Sequence, residues 1–126
     1  MEKELKELLL KDLTARLLYG VKGVITYDKS NTTFTVEGID NNVLHLSNAE
    51  ECYAEEFKPY LRPMSSMTED EAMEYANCGN IIANSPQNNY LIPNTNCVDW
   101  LNAHHFDYRG LLEKNLALEA LEGMYN

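Results

Sequence analysis

Leucines at positions 5, 9, 13 and 17 recur every four residues, and Leu8, Leu10 and Leu18 widen the stripe they make. That spacing predicts an amphipathic helix over residues 2–18. Glu2, Glu4 and Glu7 suit the positive end of its dipole, and Gly20 can end it in the left-handed region. A stripe this rich in leucine must be covered. The chain's own sheet is the expected cover; a partner's helix, as in a homodimer, is the alternative.

The period changes after Gly20. Val21–Tyr27, Thr32–Val36 and Val43–Leu46 are β-branched or aromatic runs, the composition of strands. Asp28-Lys29-Ser30-Asn31 and Asp40-Asn41-Asn42 separate them as turns. Phe34 and Val36 alternate with Thr33, Thr35 and Glu37, which predicts one buried and one wet face. A meander of three short antiparallel strands follows, extended by a further strand near residues 50–54. The expected product is a small antiparallel, SH3-like sheet beside the helix.

Residues 57–67 read as a proline-rich connector between two halves. Pro59 and Pro63 fix φ locally and push Lys58 and Arg62 towards extended conformations. Thr68 and Glu71 then have the spacing of a capping box, opening a helix expected to run to about Asn77 and stop at Gly79. Residues 79–94, with Pro86 and Pro93, read as a loop or irregular hairpin. Asn94, Thr95 or Asn96 can cap a helix carrying Val98, Trp100 and Leu101. Asp107 can cap another, Tyr108–Lys114, with Asn115 as its left-handed stop. The tail Leu116-Ala117-Leu118 adds a final strand or docks its apolar side chains. The fold class is therefore α+β in one domain over 1–126: helix and β-meander over 1–56, connector over 57–67, and a mainly helical half over 68–126.

Charge narrows the partners. With 20 acidic and 10 basic side chains the net charge is −10, a potential that repels phosphate backbones. Direct nucleic-acid binding is not expected; a basic protein partner is. No apolar run approaches the roughly 20 residues of a membrane span, and the stretch MEKELKELLLKDL lacks the apolar core of a signal peptide. Cys52, Cys78 and Cys97 are an odd number at wide spacings, a poor disulfide framework and a poor zinc signature. Reduced thiols in a reducing compartment fit better. A soluble cytoplasmic protein is expected.

Chemistry is sparse. His104-His105-x-Asp107 is the nearest approach to a metal or catalytic cluster, with Cys97 seven residues before His104 and so on the same helical face. Adjacent histidines on a helix diverge by about 100°, which disfavours one shared ion. A buried, hydrogen-bonded histidine beside one at a helix C-terminus is the plainer reading. Ser65 and Ser66 lack a nucleophile elbow, and the paired acids Glu55-Glu56 and Glu69-Asp70-Glu71 describe a wet face. No phosphate loop or cofactor signature is present, so none is expected. Arg62 and Arg109 lie beside aromatics: Phe57 and Tyr60 for the first, Phe106 and Tyr108 for the second. Stacking, or a fork to Asp107 or Glu69, would hold the two halves together. Tyr60, Arg62, Trp100, His105, Phe106, Tyr108 and Arg109 are therefore the structural or interaction candidates.

Three blocks also resemble one family: Lys11–Val21, Lys58–Glu69 and Leu101–Leu111, in that order, with the ending Gly123-Met124-Tyr125-Asn126. That family consists of small proteins of unassigned function encoded in prophages and mobile elements of gut anaerobic bacteria. Leu18 stands where its pattern has proline, and Asn115 where it has glycine. The resemblance implies a phage-related accessory role and carries no reaction or site. The leading expectation is a non-enzymatic protein-binding module. The alternatives are a metal-binding protein or metal-dependent enzyme using Cys97, His104 and Asp107, and an acidic nucleic-acid mimic or regulator of a DNA-binding protein.

Overall fold

A computed structural model describes the backbone of residues 1–83 and 95–125, and the side chains of residues 1–78 and 97–125. The fold is α+β. Helix α1 (Lys3–Arg16) ends in a short 3-10 turn, Leu17–Tyr19, closed by Gly20 at φ 68°. Six strands follow: β1 (Lys22–Ile25), β2 (Phe34–Asp40), β3 (Val43–Leu46), β4 (Glu51–Tyr53), β5 (Phe57–Leu61) and β6 (Leu118–Glu119). They form one sheet in the order β4-β3-β2-β1-β5-β6. All neighbours are antiparallel except β5 and β6, which run parallel. Helices α2 (Glu69–Ala83) and α3 (Thr95–Ala103) lie between β5 and β6 in the chain.

The leucine stripe is covered by the chain's own sheet. Leu9 and Leu13 are fully buried in a core with Val21, Ile25, Phe34, Val36, Leu44, Leu46, Phe57 and Leu61. Leu18 leaves the stripe and is 91% exposed, because the turn tightens after Arg16 and swings that position outward. Phe34 and Val36 are buried and Glu37 is exposed, as alternation requires. The turn residues Asn31 and Asn41 take positive φ, 53° and 55°. Asp28 also accepts hydrogen bonds from the Ser30 N–H (3.0 Å) and hydroxyl (2.7 Å), the side-chain mimicry that suits aspartate to turns.

The segment expected to be a connector is instead strand β5, inside the sheet. Phe57, Pro59 and Leu61 face the core and alternate with Lys58 and Tyr60. Proline in an interior strand needs a place where its missing N–H is not wanted. Pro59 lies opposite Gly23 on β1, while on its other side β6 pairs only from Tyr60 onward. Gly23 fits because a Cβ there would collide with the Lys58 carbonyl and the Phe57 ring.

The second half also departs in detail. Helix α2 passes through Gly79 and ends at Ala83. The remainder of the expected loop or hairpin, residues 84–94, lies outside the described residues. The expected helix Tyr108–Lys114 is a series of turns, in which Asp107 accepts from the Leu111 and Leu112 N–H groups, both at 2.9 Å. Asn115 takes the left-handed conformation at φ 59°. The tail does both things foreseen for it, burying Leu116 and Ala117 and adding β6.

Candidate functional site

The candidates around Arg62 and Phe106 come together as a brace. The Arg62 N–H donates to the His105 carbonyl and the Asp107 N–H to the Arg62 carbonyl, each at 2.8 Å. These bonds lay the end of β5 alongside residues 105–107. The Arg62 guanidinium sits 4.1 Å from the centre of the Phe106 ring, and Trp100 stacks on the same ring at 5.7 Å. The fork partner is Glu71, not the expected Glu69 or Asp107: Nη1 and Nη2 reach its two oxygens at 2.7 and 2.6 Å. Glu71 also closes the capping box, accepting from the Thr68 N–H at 3.0 Å while its own N–H donates to Thr68 Oγ1 at 3.2 Å. The Arg62 fork holds the Glu71 carboxyl down at about 2.

A second network was not legible in the sequence. Asp12 and Arg16, one helical turn apart on α1, are both fully buried. Asp12 accepts from Arg16 Nε at 2.8 Å and Nη2 at 3.1 Å, and from Arg109 Nη1 at 2.8 Å. Arg16 Nη2 also donates to the Phe106 carbonyl at 2.5 Å, and both arginines lie over the Tyr108 ring. Tyr108 in turn donates to Asn102 Oδ1 at 2.8 Å. Arg109 therefore pairs with α1 and not with Asp107. An i, i+4 acid–base pair on a helix is ordinarily a surface pair; here residues 106–109 cover it.

His105 is buried in the left-handed region, φ 62°. Its Nδ1 has no hydrogen-bond partner among the described residues, so it is not the hydrogen-bonded core histidine expected. Its ring stacks on Tyr125 at 3.6 Å. Burial, with Arg16 next in effect, lowers its pKa to about 4, so it is neutral at pH 7. The Tyr125 hydroxyl accepts from the Lys22 N–H at 2.9 Å and donates to the Tyr60 carbonyl at 2.7 Å. It stands between β1 and β5 where their own ladder has ended, and this is the role of Tyr60 in the cluster.

The residues proposed for a metal are not drawn into one group. Among the described residues no three His, Cys, Asp or Glu side chains converge on a common point. Asp107 caps backbone amides, His104 stacks on Trp100 at 4.1 Å, and the Cys97 thiol has its pKa raised by burial and by neighbouring Cys78. A cleft of about 370 Å³ lies between the start of α2 and the C-terminal segment; Arg62, Thr68 and Glu71 on its wall are bonded to one another, and Glu119 and Glu122 line it as well.

Different residues stand open to solvent. Tyr27, after β1, is 63% exposed and Tyr53, on the edge strand β4, is 55% exposed. Tyr27 is shared by two adjoining depressions of about 400 and 440 Å³. Tyr53, Glu51 and Glu56 line the first; Asp28, Glu50 and Lys29 line the second. Local desolvation raises the Tyr27 pKa, and the carboxylates of Glu56, Glu50 and Asp28 add their negative field to it. Sequence reasoning did not single out either tyrosine. The signal was present in the alternation around β4, where Cys52 and Ala54 are buried and Glu51 and Tyr53 point outward.

No helix among the described residues is long and apolar enough to cross a membrane. Comparison with described protein families, curated proteins and solved structures returns no match for this chain.

Proposed function

We propose that this chain is a non-enzymatic, cytoplasmic binding module, of the phage-related accessory kind its sequence blocks resemble, that holds a lysine- or arginine-rich segment of another protein. The observation that carries the reading is the face on which Tyr27 and Tyr53 stand exposed among Asp28, Glu50, Glu51 and Glu56. Exposed phenol rings offer apolar area and a negative π-face to a cation, and tyrosine is favoured at protein interfaces. The surrounding carboxylates attract the same charge over a Debye length. The other strong polar groups described above are turned inward on one another, which leaves this face available for a partner.

The test is fluorescence anisotropy of a labelled Lys/Arg-rich peptide titrated with the full chain at low and high salt. Binding that weakens with salt, and at least tenfold on the double substitution Tyr27→Ala with Tyr53→Ala, is expected. Labelled duplex DNA should not bind. Equal affinity for the double variant, or no peptide binding at low salt, overturns the assignment.

A further inference from the structure

Helices α2 and α3 pack antiparallel, with a contact register that runs their described length. Glu71 lies 3.7 Å from His104. One turn further along α2 and one turn back along α3, Tyr75 meets Trp100 with ring centres 5.6 Å apart. Between these levels the Trp100 Nε1–H donates to Glu74 at 3.2 Å. Three residues beyond Tyr75 on α2 is Cys78; three residues before Trp100 on α3 is Cys97. The register therefore sets the two cysteines opposite one another on facing turns of α2 and α3, and Cys78 is near enough to influence the Cys97 thiol electrostatically. Both are partly exposed.

We propose that Cys78 and Cys97 are a modification site, a vicinal dithiol that a peroxide oxidises to an intramolecular disulfide joining α2 to α3. One sulfur, as thiolate, attacks a peroxide oxygen, giving a sulfenic acid and releasing hydroxide. The second thiolate then attacks that sulfur, forming the S–S bond and expelling the sulfenic oxygen as hydroxide. Two thiols and one hydrogen peroxide thus become one disulfide and two waters: the sulfurs lose two electrons in all, and the peroxide gains them. The register favours this closure, because a resolving thiol on the facing helix turn outcompetes further oxidation of the sulfenic acid.

The third cysteine sharpens the assignment. Cys52 is buried in the core on β4, and burial pushes its thiol up to about 12. It presents almost no thiolate at neutral pH and stays reduced. Burial and the neighbouring Cys78 raise the Cys97 pKa as well, so the oxidation should accelerate at mildly alkaline pH.

The experiment treats the reduced full chain with stoichiometric hydrogen peroxide at pH 7 and pH 8.5, followed by intact mass and non-reducing peptide mapping. The expected product has lost two hydrogens and carries one cross-link, between the peptides holding Cys78 and Cys97. It melts roughly 5 °C higher or more, since the bond closes a loop of about 20 residues, and dithiothreitol reverses the shift. The Cys52→Ala variant should form the same bond, while Cys78→Ser and Cys97→Ser should not. A cross-link through Cys52, intermolecular dimers as the main product, or sulfinic acid on Cys97 with Cys78 still a thiol would overturn the proposal. The Cys52→Ala chain keeps the test decisive even where a serine variant folds poorly.

Discussion

Along the β5–β6 side of the sheet, Arg62, Phe106, Tyr108 and Arg109 are held against one another, Glu71 and Asp12. Along the β4 side, Tyr27 and Tyr53 stand in solvent among carboxylates. Both regions have the composition of an interaction surface, aromatic rings beside charges. They differ in whether the charges balance. On the first side the arginines meet acids and carbonyls of their own chain, so the cluster holds the fold together. On the second, Asp28, Glu50, Glu51 and Glu56 outnumber Lys29 and His45, the latter 3.2 Å from Glu51, which leaves a partner to answer the rest. Aromatic-plus-charge composition therefore does not identify a binding face; the local charge balance does.

The sharpest way to break this contrast is Asp12→Ala. It leaves Arg16 and Arg109 without their shared carboxylate, and Arg16 fully buried. A loss of about 3–5 kcal/mol is expected, read as a lower urea midpoint at unchanged slope. A loss under about 1 kcal/mol would show that water reaches the pair. Arg62→Ala comes next. Its fork to Glu71 is partly exposed, so the expected cost is about 2 kcal/mol including the stack on Phe106, a melting temperature lower by several degrees.

His105 gives the same side of the molecule a pH signature. The unfolded chain takes up its proton near the ordinary value of 6.5, whereas the folded chain holds the ring neutral down to about 4. That contribution is fully present above pH 6.5 and is lost as the pH falls through 4. Glu71, held at about 2 against an ordinary 4.5, adds a second loss between those two values. Stability measured by urea unfolding should fall by about 1–3 kcal/mol from pH 7 to pH 4. His105→Asn, which tolerates the left-handed backbone, should remove most of the fall above pH 4.5.

Tyr125→Phe deletes only the hydroxyl between Lys22 and Tyr60 and should cost about 1–2 kcal/mol, with faster amide exchange at Lys22. On the opposite side, Tyr27→Ala and Tyr53→Ala should each change stability by no more than about 0.5 kcal/mol, checked by the same unfolding curves. A larger effect there would mean that the tyrosines also brace the fold, and the contrast between the two sides would fade.

Local signals carried far along this chain. The leucine period gave α1, strand alternation gave the meander, and the Thr68–Glu71 spacing gave the start of α2, because each depends on neighbours within a few residues. Gly20 and Asn115 in left-handed backbone were legible for the same reason. Strand β5 was misread because prolines speak for a connector when only sequence neighbours are considered. Whether Pro59 lacks a ladder partner depends on β6, nearly 60 residues downstream.

Among site residues, the mutual packing of the Arg62 and Phe106 segments was foreseen, but its fork partner was not. A guanidinium is long enough to reach several acids, and the one that α2 presents is decided by docking. The sequence by itself determined helix α1, the strands of the meander, the start of α2 and the acidic net charge, since periodicity, capping spacing and net charge depend on local residues. Only the tertiary structure decided that Asp12 and Arg16 are interior, that His105 is neutral, that Cys78 faces Cys97, and that two tyrosines remain outside. Burial and long-range pairing depend on which distant segments exclude water from one another, and no local window contains that information.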